Sequence, residues 1–236
     1  MPKFILVTGH ASGIGNHAAA EFHKAGYKVI GIDKAISNSL DAQIKQIKCD
    51  LSNYIEAENA FKKFDRIDFA INCAGVPGIR KTVAEIASEE LIESYKNIFL
   101  PAFNACKLEI IKMKNNATVS KIINIASSTA TVGGKNMVAY SSAKAAIVNL
   151  TKVCAVENAP KILVNSISPA TIDTPMIRGK YAGRLPDYGE AYLTGNCGTV
   201  SDVWAAMNFI LNNNFMTGSD IVMDGGYSAS FSLKLK

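Results

Sequence analysis

Short apolar runs alternate along this chain with longer segments in which apolar residues recur at helical spacing. Phe4 to Val7 and Ile122 to Ile125 are of the first kind, and Ala143 to Val156 is of the second. A short, continuous apolar run fits a strand buried on both faces, whereas helical spacing marks a helix with one apolar face. Alternation of the two predicts βαβ units around a parallel sheet. The expected strands include Lys3 to Val7, Lys28 to Ile32, Ile44 to Cys49 and Ile67 to Ile71, with helices over about Ile14 to Ala25 and Ser88 to Lys112. Between the second and third strands, Ile36 to Ala42 leaves room for about two helical turns, so that crossover is expected to be vestigial. No Pro- or Ser-rich linker, repeat or low-complexity run divides the 236 residues, which predicts one domain.

Composition narrows the function classes. The net charge of +5 is spread along the chain without a basic block, which argues against nucleic-acid binding. No apolar run reaches the ~18 residues of a membrane span, and Met-Pro-Lys leads straight into a strand, so a cytosolic protein with no membrane partner is expected. The five cysteines, Cys49, Cys73, Cys106, Cys154 and Cys197, form no C-x-x-C pair and read as reduced, buried structural thiols. His10, His17 and His23 have no zinc spacing, and no metal is expected.

The first strand runs into Thr8-Gly9-His-Ala-Ser-Gly13-Ile-Gly15 and then a helix. Glycines allow a sharp turn and close backbone approach, and the helix start offers free N–H groups to phosphate, so a dinucleotide pyrophosphate is the expected ligand. Asp33 ends the second strand eighteen residues after Gly15, where an acid can bind the adenosine ribose hydroxyls and repel a 2′-phosphate. NAD is therefore favoured over NADP, although Lys34 could offset part of that repulsion. Asp50 could receive the adenine amino group or cap the next helix. The small residues of Asn72-Cys-Ala-Gly75 would let backbone lie against a cofactor. Tyr140 and Lys144 stand four apart on one helix, thirteen residues after Ser127. An ammonium on the same face favours the ionised phenol, making Tyr140 a candidate acid–base group.

Taken together, these motifs resemble the short-chain dehydrogenase/reductase family along nearly the whole chain. The resemblance implies a three-layer, doubly wound α/β fold of Rossmann type with a mostly parallel seven-stranded sheet flanked by helices. It implies NAD as cofactor, held by Gly9, Ser12, Gly13, Ile14, Gly15, Asp33, Asp50, Leu51, Asn72, Ala74, Gly75, Tyr140, Lys144, Pro169, Ile172 and Thr174. Ser127, Tyr140, Lys144 and Asn97 fall where the family has its catalytic tetrad; Ser127 rather than Ser128 gives the family's offset to the tyrosine. By resemblance, Lys144 would also bind the nicotinamide ribose, and Asn97 would support a water leading from Lys144 to solvent. Two departures stand out. Cys73 replaces the second Asn of the family's Asn-Asn-Ala-Gly motif, and Ala170 replaces the Gly of its Pro-Gly segment.

The implied reaction is hydride transfer between NAD(H) and a hydroxyl or carbonyl substrate, with a homo-oligomer, tetramer or dimer, as the expected assembly. A non-catalytic dinucleotide-binding scaffold of the same fold is the alternative. Val76 to Lys81, Thr129 to Val138 and a short lid over about 176–199 are the candidate substrate walls. The lid mixes Arg178, Lys180 and Arg184 with Asp187 and Glu190, which reads either as a preference for a polar or anionic substrate or as an ordinary solvated loop.

Overall fold

The computed structural model describes residues 2–185, 187–188 and 190–229. Seven strands form one sheet: β1 (Phe4–Thr8), β2 (Lys28–Asp33), β3 (Lys45–Lys48), β4 (Phe69–Asn72), β5 (Ser120–Ile125), β6 (Ile162–Pro169) and β7 (Asp220–Met223). Their order is β3-β2-β1-β4-β5-β6-β7, and every pairing is parallel rather than most of them. Helices cover both faces: α1 (Gly13–Lys24), α2 (Tyr54–Phe61), α3 (Ser88–Met113), α4 (Val138–Asn158), α5 (Pro175–Lys180) and α6 (Val200–Asn212).

Period-two burial divides the core. Leu6 of β1 and Ile122 of β5 pack with residues of α2, α3 and α4. Ile5, Val7, Ile123 and Ile125 point the other way, onto α1 and α6. β4, β5 and β6 are buried along their whole lengths, as parallel strands sandwiched between helices must be. Lys121 is the charged residue on β5. The residue is 2% exposed, and its ammonium donates to the carbonyls of Leu211 and Asn213, each at 2.8 Å, so it closes the C-terminal end of α6.

No helix fills the β2–β3 crossover. The link is braced by polar contacts instead: Gln46 receives the Ser37 amide at 2.8 Å and donates to the Ser37 carbonyl at 3.0 Å, while Asn16 of α1 donates to the Ser37 hydroxyl at 2.9 Å. Among the described residues no helix is long and apolar enough to cross a membrane.

All strands point the same way, so their C-terminal ends share one edge. Chain direction across the sheet reverses between β1 and β4, which opens the crevice where open parallel sheets place ligands.

Candidate active site

The turn between β1 and α1 is built by close approach. Gly9 has φ of +70°, and a Cβ there would stand 2.7 Å from the Ala74 amide nitrogen; a Cβ on Gly15 would stand 2.2 Å from the Gly9 carbonyl oxygen. The loop therefore lies flat against the end of β4. Ser12 occupies the N-cap of α1 without a side-chain cap bond. The amides of Ser12 to Gly15 find no acceptor among the described residues. Two other helices are closed by side chains: Asn53 caps α2 and Thr199 caps α6. The positive end of α1 is thus left open onto a groove, and its free donors fit a diphosphate.

That groove is lined at one end by Asp33, Lys34, Asp50 and Leu51, in its middle by Gly9, Ser12, Gly13, Ile14 and Gly15, and at the other end by Ala74, Gly75, Asn97 and Thr174. The Asp33 carboxylate is fixed by the amides of Ala11 at 3.0 Å and Ala35 at 3.1 Å. Asp50 pairs with Lys34 at 3.0 Å and accepts from the Ser52 amide and hydroxyl at 2.9 and 2.7 Å. Burial pushes this carboxyl up, but Ser52 and Lys34 outweigh it and hold Asp50 below its ordinary value. Asp50 is not the cap of α2; that role belongs to Asn53, whose side chain accepts from the amides of Ile55 and Glu56. Lys34, tied to Asp50, is not a free cation beside Asp33.

Asn72 lies off the groove wall. It is 3% exposed, and its amide donates to Glu109 and Asn124, each at 3.0 Å, while its oxygen accepts from Thr8. It joins β1, β4, β5 and α3 and supports the cofactor groove from beneath. Cys73, expected to be a buried structural thiol, is half-buried and on the groove wall; Cys197 is also half-buried. Burial pushes the Cys73 thiol up to about 12, so it stays protonated and unreactive.

A narrow recess joins the groove to a second cleft. Ser127, Tyr140, Lys144, Pro169, Ile172 and Thr174 all border it. Ser127 ends the segment after β5, and its hydroxyl accepts from the Thr129 hydroxyl at 3.0 Å and lies near enough to the Tyr140 phenol to lower its pKa. Tyr140 and Lys144 share one face of α4, with the ammonium 5.8 Å from the ring centroid. Lys144 donates to the Ile125 carbonyl at 2.8 Å, and burial brings its pKa down to about 8.

The expected depression of the Tyr140 pKa by Lys144 is not seen. Burial raises the phenol above its ordinary value, and the opposing influences are Ser127 and the Arg80 charge. Lys144 is directed to a backbone carbonyl, which explains its small part. Asn97 lies on α3. Its side chain turns back along α3 to the Glu93 carbonyl at 3.0 Å and the Glu93 carboxylate at 2.6 Å. Its own carbonyl lacks the usual helical donor, because residue 101, four positions on, is a proline inside α3.

A family model described as enoyl-(acyl carrier protein) reductase matches residues 9–228. The chain belongs to the short-chain dehydrogenase/reductase family. An NAD-dependent glycerol dehydrogenase of Listeria innocua is 32% identical to it over 250 residues, covering 96% of this chain and 94% of the relative. Among solved structures, the aldohexose dehydrogenase of Thermoplasma acidophilum superposes with a TM-score of 0.90 at 28% identity, over 100% of this chain and 97% of that one. ElxO with NADP bound superposes with a TM-score of 0.87 at 27% identity, over 98% of this chain and 100% of that one. Membership makes the protein an oxidoreductase of a family that binds nicotinamide dinucleotides, and the open α1 terminus and fixed Asp33 described above fit such a group.

Sequence reasoning did not single out several residues of this short-chain dehydrogenase/reductase site. Pro101 stands on the groove wall, and its place in the middle of a long helical segment was the available signal. Arg80 and Tyr227 border the second cleft, together with Lys180 and Tyr192 of the lid. Arg80 falls within a segment expected to form a wall, but nothing in its spacing marks it out from its neighbours.

Proposed function

We propose that the protein is an NAD-dependent dehydrogenase that interconverts a secondary alcohol and a ketone, with Tyr140 as the acid–base group. The observation that carries this reading is the meeting of Ser127, Tyr140 and Lys144 in the recess joining the dinucleotide groove to the second cleft. A bound nicotinamide dinucleotide supplies the hydride acceptor or donor. Tyr140 gives a proton to the substrate oxygen in reduction and takes it back in oxidation, a contribution of about 10²–10⁴-fold. Ser127 orients that oxygen and stabilises charge developing on it.

Lys144 uses one N–H on Ile125 and keeps two donors for ribose hydroxyls. The carbonyl of Asn97, freed by Pro101, is suited to hold a water on the proton path from Lys144. Asp33, anchored by two amides, supports NAD as the preferred cofactor because its charge opposes a 2′-phosphate. An aromatic ladder on α3, with half-buried Tyr95 and Phe99 leading to exposed Phe103 at centroid spacings of 6.2 and 6.1 Å, supports a homo-oligomer.

The test is initial-rate absorbance at 340 nm with NAD and with NADP against secondary alcohols, hydroxy acids and sugars, and with NADH against the matching carbonyls. Turnover that Tyr140→Phe lowers by about 10² or more, with NAD binding retained, is the expected result. Undiminished turnover in Tyr140→Phe would remove Tyr140 from the mechanism.

A further inference from the structure

The second cleft has a volume of about 300 Å³ and is bordered by Ser127, Tyr140, Arg80 and Lys180. Among the described residues no Asp or Glu borders it. Two neighbouring cations are neutralised. Lys81, beside Arg80, pairs with Glu90 at 2.6 Å, and Arg178, two positions before Lys180, holds Asp173 with a two-point contact at 2.7 and 2.6 Å. Arg80 and Lys180 form no ion pair with any described carboxylate.

Local packing brings Arg80 to this place. Gly78 has φ of +71°, and a Cβ there would stand 3.1 Å from Ile98 Cδ1 and 3.2 Å from Tyr140 Cβ. The loop after β4 therefore rests directly on the tyrosine. On the far side, α5 carries Lys180 at its last position and Tyr192 anchors the lid, its hydroxyl bonding the Thr171 hydroxyl at 2.9 Å. The two cations feel each other: burial, and then the Arg80 charge, lower the Lys180 pKa. Two like charges around a small cavity without a counter-charge repel, and an anion between them would relieve the repulsion.

We propose that Arg80 and Lys180 are the seat for an oxyanion tail, carboxylate or phosphate ester, on the substrate, so that the substrate class is a small hydroxy acid or hydroxyalkyl phosphate with its oxo counterpart. This rests on the dehydrogenase reading above. The reactive carbon is placed by Ser127 and Tyr140, and the tail crosses the cleft to a guanidinium suited to paired contact with an oxyanion. Sugars and polyols without charge fill the cleft but leave both cations unpaired.

The experiment uses matched compounds: 3-hydroxybutyrate against butane-1,3-diol, and glycerol 3-phosphate against glycerol. Each is measured as kcat/KM with NAD and as calorimetric binding to the protein–NADH complex. Wild type, Arg80→Gln and Lys180→Gln are compared, with NADH binding as the check that each variant is folded. At least one anionic member is expected to exceed its neutral partner by about tenfold or more, and each substitution to reduce that ratio by about tenfold. A gain confined to the carboxylate or to the phosphate pair names the tail.

Neutral members turned over as well as the anions, or a ratio unchanged in both variants, overturn the proposal and leave the dehydrogenase intact. Anion binding that the variants lose, without turnover of any compound, supports the cationic seat while counting against the dehydrogenase reading. Binding of neither anion overturns the proposal whatever the rates.

Discussion

Glu109 should make this fold less stable as pH rises, and replacing it with Gln should remove the effect. The residue is fully buried on α3; Oε2 accepts from Asn72 at 3.0 Å and Oε1 has no partner among the described residues. Burial raises its carboxyl from 4.5 to about 8, and the Asn72 bond only partly opposes the rise. The folded chain therefore holds a proton that the unfolded chain releases at neutral pH. Stability from this group is full below about pH 4.5, falls as pH rises towards about 8, and then levels off.

At about 1.4 kcal/mol per tenfold change in proton affinity, the loss is below about 1 kcal/mol at pH 5 and about 3 kcal/mol at pH 7. Glu109→Gln keeps an oxygen for Asn72 and exchanges an unpaired acid hydroxyl for an unpaired amide, so the neutral forms nearly match. The variant should gain about 2–3 kcal/mol at pH 7, or roughly 5–10 °C in Tm for a chain of this size. Urea unfolding at pH 5, 6, 7, 8 and 9, at one protein concentration, measures the difference; titrating groups common to both proteins cancel. Parallel stability curves for the two proteins across that range would refute the reasoning.

Other substitutions test the remaining links. Asp33→Asn should raise kcat/KM for NADP relative to NAD by about tenfold or more, because the charge facing a 2′-phosphate is gone while an amide-accepting oxygen stays; steady-state kinetics with both cofactors would show an unchanged ratio if Asp33 does not select. Gly9→Ala forces a side chain to within 2.7 Å of the Ala74 backbone at a positive φ, so NADH affinity measured by fluorescence should fall by at least about tenfold, with the dichroism spectrum reporting any loss of fold. Lys121→Met leaves carbonyls at the end of α6 without their donor and should cost about 2–4 kcal/mol in chemical denaturation. A change within 0.5 kcal/mol would show that those carbonyls find other partners.

Features written in contiguous residues were legible before the structure. The β1–α1 loop is one such feature, because a strand, three glycines and a helix dictate both the turn and the open amides. The spacing of Tyr140 and Lys144 is another, since the helix period alone puts them on one face. What was not legible depends on residues distant in sequence. The resemblance implies that Asn72 steadies the sheet, but its partners Glu109, Asn124 and Thr8 come from three other elements and could not be read from its motif. Gly31 looks like an ordinary small residue within a strand, yet a Cβ there would meet the buried His10 ring at 2.5 Å.

The same limit explains the Tyr140 pKa and the second cleft. Helix spacing puts Lys144 beside the phenol, but the direction of its ammonium is set by the Ile125 carbonyl at the end of β5, and burial then raises the pKa of Tyr140. Arg80 and Lys180 lie a hundred positions apart on a loop and a short helix with no shared periodicity. Only the sheet order, which sets the ends of β4 and β6 on either side of β5, brings their segments to opposite walls of one cavity. Chemistry common to the family is thus carried by local motifs, whereas the groups that would select a substrate are carried by loops that meet only after the sheet has formed.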